Sequence, residues 1–284
     1  MINFMKRNLL VFFKDKASVF FSLLSVFIII GMYALFLGDV WTSGMTDITG
    51  ARYLMDSWIV AGLIAVTSVT TTMGAFGTMV EDQSTKRIKD IRSAPLPRVS
   101  IAGGYILSAF IIGVIMSVVA LVLCELYIVA GGGAMLGGIE LLKVFGLILL
   151  STFSNTALVL FFVSFFRSNN AFSIASTIIG TVIGFMTGIY IPIGQLPEGV
   201  QWVIKLFPPS HSALLLRQVI MGDALTTSFA GAPAESLNGF KELMGVTFKV
   251  GDTQVTPMLS ITILVVAGFV FLGLSMINLS RKRK

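Results

Sequence analysis

Read for hydrophobicity alone, the chain is a succession of long apolar stretches separated by short polar ones. Six uncharged runs, residues 17–38, 57–80, 99–124, 144–166, 168–191 and 258–280, each exceed the length of about 20 residues that a helix needs to cross the hydrocarbon core of a bilayer. None carries the polar stripe that a helix on the surface of a soluble domain must present to water. The pattern predicts six membrane-spanning helices.

Two regions break the pattern. In residues 1–16, Ile2, Met5, Leu9, Phe12 and Phe13 fall on one side at helical spacing while Arg7, Lys14 and Asp15 point away, which predicts an amphipathic helix lying in the membrane interface. Residues 192–257 are interrupted by Pro197, Lys205, Pro208, Pro209 and Arg217. Two short helices fit there, over 198–207 and 210–221, separated by the Pro-Pro break. Neither is long enough to span, so a re-entrant hairpin is expected, its backbone covered by protein. A seventh span is set aside because it would put the basic tail on the opposite side. Further on, "VTFKVGDTQVT" alternates on either side of Gly251 and Asp252, the signal of a small external β-hairpin.

Composition agrees. The chain is 55% hydrophobic and 12% charged, against about 25% charged in an ordinary soluble domain. The net charge of +6 could suggest nucleic acid, but its placement points to a membrane. Counted over alternate inter-span segments, one side holds fourteen basic residues and the other six. The positive-inside rule then puts both termini and residues 81–98 in the cytoplasm, as expected of a multi-pass protein of a bacterial plasma membrane, with lipids and no nucleic acid as partners. The first apolar run is longer than the core of a cleavable signal peptide. The single Cys124 reads as a small buried residue.

Catalytic signals are scarce. His211 is the only histidine, too little for a metal site or a catalytic triad; its neighbours suggest a role at a helix start. No G-x-x-x-x-G-K-[ST] loop is present, nor any Gly-Lys pair, so if ATP drives this protein another chain binds it. No enzyme activity, metal or cofactor is expected in this chain. Glu125, about 25 residues into the third span, falls near the outer surface at about 1.5 Å per residue. Thr67, Thr71 and Thr78 share a face of span two, either lining a polar path or bonding neighbouring helices. In span five, Gly180, Gly184 and Gly188 follow at four-residue steps, a spacing that lets helix backbones approach closely.

The densest charge lies in "EDQSTKRIKDIRSAPLPRV", residues 81–99, with Lys86, Arg87, Lys89, Arg92 and Arg98. Residues 84–92 fit a short helix with Ile88 and Ile91 on one side, which Pro95 and Pro97 end and brace. Such an element, tied to two spans, can convert a push from a soluble partner into helix movement. Here the chain resembles the permease subunit of type-2 ABC transporters, in which an acidic start, a short coupling helix and a Pro-containing return join spans two and three. The matching residues run from Glu81 through Pro95, Pro97 and Arg98 to Gly103 and Gly104, with Ser84 where the family commonly has Gly. A second stretch, "LPEGVQWVIKLFPPSHSALLLRQVIMGD", is similar to the family's segment before the last span, with Pro197, Pro208, Pro209 and Arg217 in place.

The resemblance implies an all-α integral membrane protein forming one permease domain over 1–284: six transmembrane helices, an N-terminal interfacial helix, a cytoplasmic coupling helix, and a re-entrant hairpin with a small β-hairpin. It implies an ATP-driven exporter in which two copies, or this chain and a paralogue, pair with two cytoplasmic ATPase subunits that bind ATP and magnesium. Coupling would run through Glu81, Lys86, Arg87, Ile88, Arg92, Pro95, Pro97 and Arg98. Spans two and five would line the path of a hydrophobic, drug-like, peptide or lipid-linked substrate. An ion-coupled transporter would instead call for midplane charges or a paired repeat. A non-transporting immunity or sensor protein on the same scaffold is the other alternative.

Overall fold

The computed structural model describes residues 1–45, 48–93, 97–166, 168–251 and 253–281. Pro95, Arg167, Asp252 and the tail beyond residue 281 fall outside them, as do the side chains of Arg92, Arg98 and Arg281.

The chain opens with α1 (Ile2–Lys14). Asp15 then caps the next helix, its carboxylate accepting from the Ala17 and Ser18 amides and the Ser18 hydroxyl; those bonds hold its pKa below the usual carboxylate range. The first span is built from α2 (Lys16–Met32), a π turn (Tyr33–Leu37) and α3 (Gly38–Thr42). The second is α4 (Ala51–Ser84), followed by the short α5 (Arg87–Ser93) and the third span, α6 (Arg98–Ala130). Spans four and five are α7 (Gly138–Val163) and α8 (Asn169–Met186). Then come α9 (Glu198–Leu206), α10 (Pro208–Ile220), α11 (Gly222–Ser228) and α12 (Ala234–Leu243). Strands β1 (Lys249–Val250) and β2 (Thr253–Gln254) pair antiparallel, Lys249 opposite Gln254. The last span is α13 (Pro257–Arg281). This is an all-α integral membrane protein with six helices long and apolar enough to cross a bilayer.

The core gathers around α4, which is buried along most of its length and packs on α6, α7, α8 and α10. The outer helices α2, α8 and α13 leave most of their surface outward, as lipid-facing helices do. One end of the bundle collects α1, α5, the α7–α8 turn and the end of α13, where the Asn278 amide donates to the Ser164 hydroxyl at 2.6 Å. The other end carries α9–α12 and the β-hairpin.

Four features differ from the hydropathy reading. First, α4 is 34 residues long, about 50 Å at ~1.5 Å per residue, well over the ~30 Å thickness of a hydrocarbon core. Glu81 and Asp82 therefore belong to the span's own helix, and α5 begins at Arg87 rather than at Ser84. Second, α8 stops at Met186 instead of running to Ile191, because Gly188 adopts φ +70° and its amide folds back to the Phe185 carbonyl, a left-handed helix end that suits glycine. Third, α1 also has a protein-facing side that the hydropathy reading did not give: it buries Phe4, Asn8 and Phe12 and turns Arg7 toward Asp82, while Ile2 and Phe13 of the predicted apolar face stay exposed. Fourth, two further helices, α11 and α12, lie between α10 and the β-hairpin.

Candidate functional site

The residues of the basic loop converge with α1. After α4 ends, Lys86 takes φ +63°, an uncommon left-handed conformation for a side-chain-bearing residue, and this kink starts α5. Arg87 donates to Glu81 at 3.1 Å on the surface. Ile88 and Ile91 pack against the core, while Lys86, Arg87 and Lys89 stay exposed. Pro97 caps α6 in extended backbone.

Beneath this loop lies a polar clamp. Arg7 makes a bidentate pair with Asp82, Nη1 to Oδ2 at 2.6 Å and Nη2 to Oδ1 at 3.0 Å. The Tyr105 hydroxyl donates to Asp82 Oδ2 at 2.6 Å, and Asn8 donates to the Ser108 hydroxyl at 3.4 Å. Asp82 is only 1% exposed, so it depends on these partners for solvation. Its hydrogen bonds hold the Arg7 guanidinium pKa above its ordinary value. The Phe4 ring meets Tyr105 edge to face at 4.9 Å, and a side chain at position 104 would run into Phe4, 2.6 Å from the would-be Cβ. One helix, α1, is thus fastened to the end of α4 and the start of α6, the two feet of α5. The sequence reading placed Glu81 in the loop's mechanism and passed over Asp82 and Tyr105.

A groove of about 570 Å³ runs between α2, α4 and α8. Phe21, Met73 and Phe172 give it apolar walls, and Ser22, Thr70, Thr177 and Thr181 add hydroxyls. Each of these hydroxyls donates to a carbonyl of its own helix, leaving lone pairs as acceptors. The lining is mostly apolar, dotted with hydroxyls and free of charged side chains, suited to an amphiphile. Toward the termini it meets a cleft of about 320 Å³ that includes Asp15, Thr78 and Glu81.

Of the predicted span-two face, Thr78 reaches that cleft, but Thr67 and Thr71 are buried and donate to the Leu63 and Thr67 carbonyls. Gly74 and Thr70 take their place in the groove. Gly180 lines the groove with open space before it, Gly184 is covered by the Tyr190 ring, and Gly188 ends the helix. Only the first of the three glycines faces the groove.

At the far end, Pro197 caps α9, and Pro208 and Pro209 open α10 instead of lying between the helices. Their missing amides are among those a first turn leaves unpaired in any case. His211 lies inside that turn, buried, with Nε2 donating to the Lys205 carbonyl at 2.9 Å and Nδ1 3.0 Å from the Ser260 hydroxyl. It ties α9, α10 and α13 together. Arg217 is fully buried over the Trp58 ring at 4.9 Å and donates to the Gly188 carbonyl at 3.3 Å. Its Nε and Nη1 have no protein partner. Glu125 is buried too, accepting from the Leu136 amide at 3.0 Å, so it fastens the turn between spans three and four.

The family model described as "ABC-2 family transporter protein" matches residues 49–277. The chain belongs to the ABC-2 transporter family. No curated protein matches it. The matched region takes in α4 to α13 and includes Asp82, α5, Tyr105 and Arg217. Arg7 and the rest of α1 precede it. The chain is therefore a multi-pass membrane permease of ABC-2 type, and α1 is its partner in the clamp.

Proposed function

We propose that this chain is the membrane-spanning subunit of an ATP-driven exporter, with ATP and magnesium bound by a separate pair of ATPase subunits. The observation that carries this reading is the clamp: Arg7 on α1 holds Asp82 bidentately while Tyr105 on α6 holds the same carboxylate. Displacement of α5 by a docked ATPase would then move α1, α4 and α6 together, because α5 joins α4 and α6, and Asp82 of α4 is bonded both to Tyr105 of α6 and to Arg7 of α1. In this reading Lys86 and Arg87 offer the docking face, Ile88 seats α5 on the core, Arg92 adds to the basic charge of the segment, and Glu81 steadies Arg87. Pro95, Pro97 and Arg98 brace the return. The membrane is the plasma membrane of a bacterium, with both termini and α5 in the cytoplasm.

The groove between α2, α4 and α8 is the proposed route for a hydrophobic, drug-like, peptide or lipid-linked substrate. Its open side, along the outward face of α8, is where a second copy or a paralogue would complete the path. The chain itself catalyses nothing and binds no cofactor.

The reading is tested by co-expression with a cognate ATPase subunit and affinity purification. A stable complex is expected from the native chain. Replacing Lys86, Arg87 and Arg92 by Glu should release the ATPase while the permease still inserts; an undiminished complex would remove α5 as the docking element. Sidedness is tested by Asp90→Cys and Gln254→Cys, since the native Cys124 is buried. Impermeant maleimide on intact cells should label position 254 and spare position 90.

A further inference from the structure

We propose that the end of the bundle opposite the termini carries a second ligand site, separate from the groove, for an amphiphile with one anionic head. A surface cleft of about 570 Å³ lies between α10, α11 and α12. Leu225, Phe229, Leu237 and Val246 give it an apolar wall, and its size is that of ordinary small-molecule sites. Lys241 is the charged residue in the lining. The acid next to it in sequence, Glu242, is taken by Lys249 at 2.5 Å, and no ion pair to Lys241 is present among the described residues.

The cleft is framed to keep this shape. The Lys241 carbonyl accepts from the Val246 and Thr247 amides at 2.8 and 3.2 Å, and the Gln218 amide nitrogen donates to the Val246 carbonyl at 2.9 Å. Those bonds leave the Lys241 ammonium and the Thr247 hydroxyl as the donors the cleft offers to an anionic head, since the Thr226 hydroxyl donates to the Gly222 carbonyl at 2.9 Å and the free Gln218 amide oxygen only accepts. An ammonium beside an apolar wall selects a carboxylate or phosphate carried on a hydrocarbon body: charge fixes the head and burial holds the tail. A neutral or cationic amphiphile satisfies only the wall. The inference does not depend on ATP or on the direction of transport.

The test uses the full chain in phosphatidylcholine nanodiscs with dansyl-labelled undecanoate as the fluorescent probe and empty nanodiscs as the blank. Saturable binding above the blank is expected, displaced by decanoate but not by decanol or decyltrimethylammonium. Lys241→Gln should weaken it at least about tenfold, Lys241→Arg should retain it, and Thr226→Trp should abolish it by filling the cleft. Thermal melts of each variant keep loss of folding distinct from loss of the site, and the Arg variant decides if the Gln variant melts early. Adding phosphatidylglycerol to the discs separates the two sources of such a head: reduced probe binding identifies a membrane lipid, unchanged binding a free amphiphile. No saturable binding, equal displacement by the alcohol or the cation, or full affinity in Lys241→Gln would overturn the proposal.

Discussion

Two adjacent carboxylates do different work. Glu81 lies on the surface and pairs with Arg87, itself more than half exposed, a contact worth about 0–1 kcal/mol. Asp82, one residue on, is buried under a bidentate arginine and a tyrosine. Arg7→Ala leaves the buried Asp82 carboxylate with Tyr105 as its remaining partner, at a cost of up to about 3–5 kcal/mol. Asp82→Ala costs less, because the Arg7 side chain is 35% exposed and recovers water. Unfolding in mixed micelles should give that order, with Glu81→Ala nearly silent. Arg217 supplies a contrasting case. Two of its guanidinium nitrogens lack protein partners, so Arg217→Met, which keeps volume and removes the charge, should be neutral or stabilising. Arg217→Ala should lower the melting temperature through the cavity it opens. The sequence showed that Asp82 was acidic, but its partners lie 75 and 23 residues away. No local pattern exposes a pairing at that distance.

At the scale of elements, the bilayer made most of the fold legible. Backbone groups in hydrocarbon must be satisfied within the helix, so long apolar runs specified six spans, and the prolines marked the two short helices α9 and α10. Ends were less legible, since they depend on backbone conformation and on contacts made elsewhere. Gly188 cut α8 short, and α4 continued through charged residues because α1 covers Asp82. The protein-facing side of α1 was not legible for a related reason. It has two apolar sectors, and Phe4 packs where Gly104 on α6 leaves room. Gly104→Leu should therefore dislodge α1 and make its N-terminal half sensitive to protease, while Ile2→Ala changes little. The groove gives the opposite expectation. Gly74 and Gly180 face open space, so Gly74→Phe should fold as the native chain does yet abolish substrate-stimulated ATP hydrolysis by the complex. Normal stimulation would remove the groove from the path.

For the molecule as a whole, the two ends are built differently. The terminal end concentrates the exposed basic residues of α5 and the clamp; the other end is knitted together by bonds to carbonyls, from Trp58 to Met244 and from Gln218 to Val246, and by His211. Between them, α4 runs from one end to the other as a single helix. Movement at α5 can reach the far end through α4, to which α10 is packed. Composition and charge order made the membrane class and the basic loop legible. The clamp and the groove emerged only once helices distant in sequence stood side by side.

The most direct test of the central claim is a charge exchange read by coupled transport. Arg7→Asp, Asp82→Arg and the double exchange would be reconstituted in proteoliposomes with the ATPase subunits, and substrate moved per ATP hydrolysed would be measured. Each single change should uncouple hydrolysis from transport, and the double change should restore much of the coupling. Full coupling in either single variant, or transport driven by an ion gradient with no ATPase present, would contradict the account.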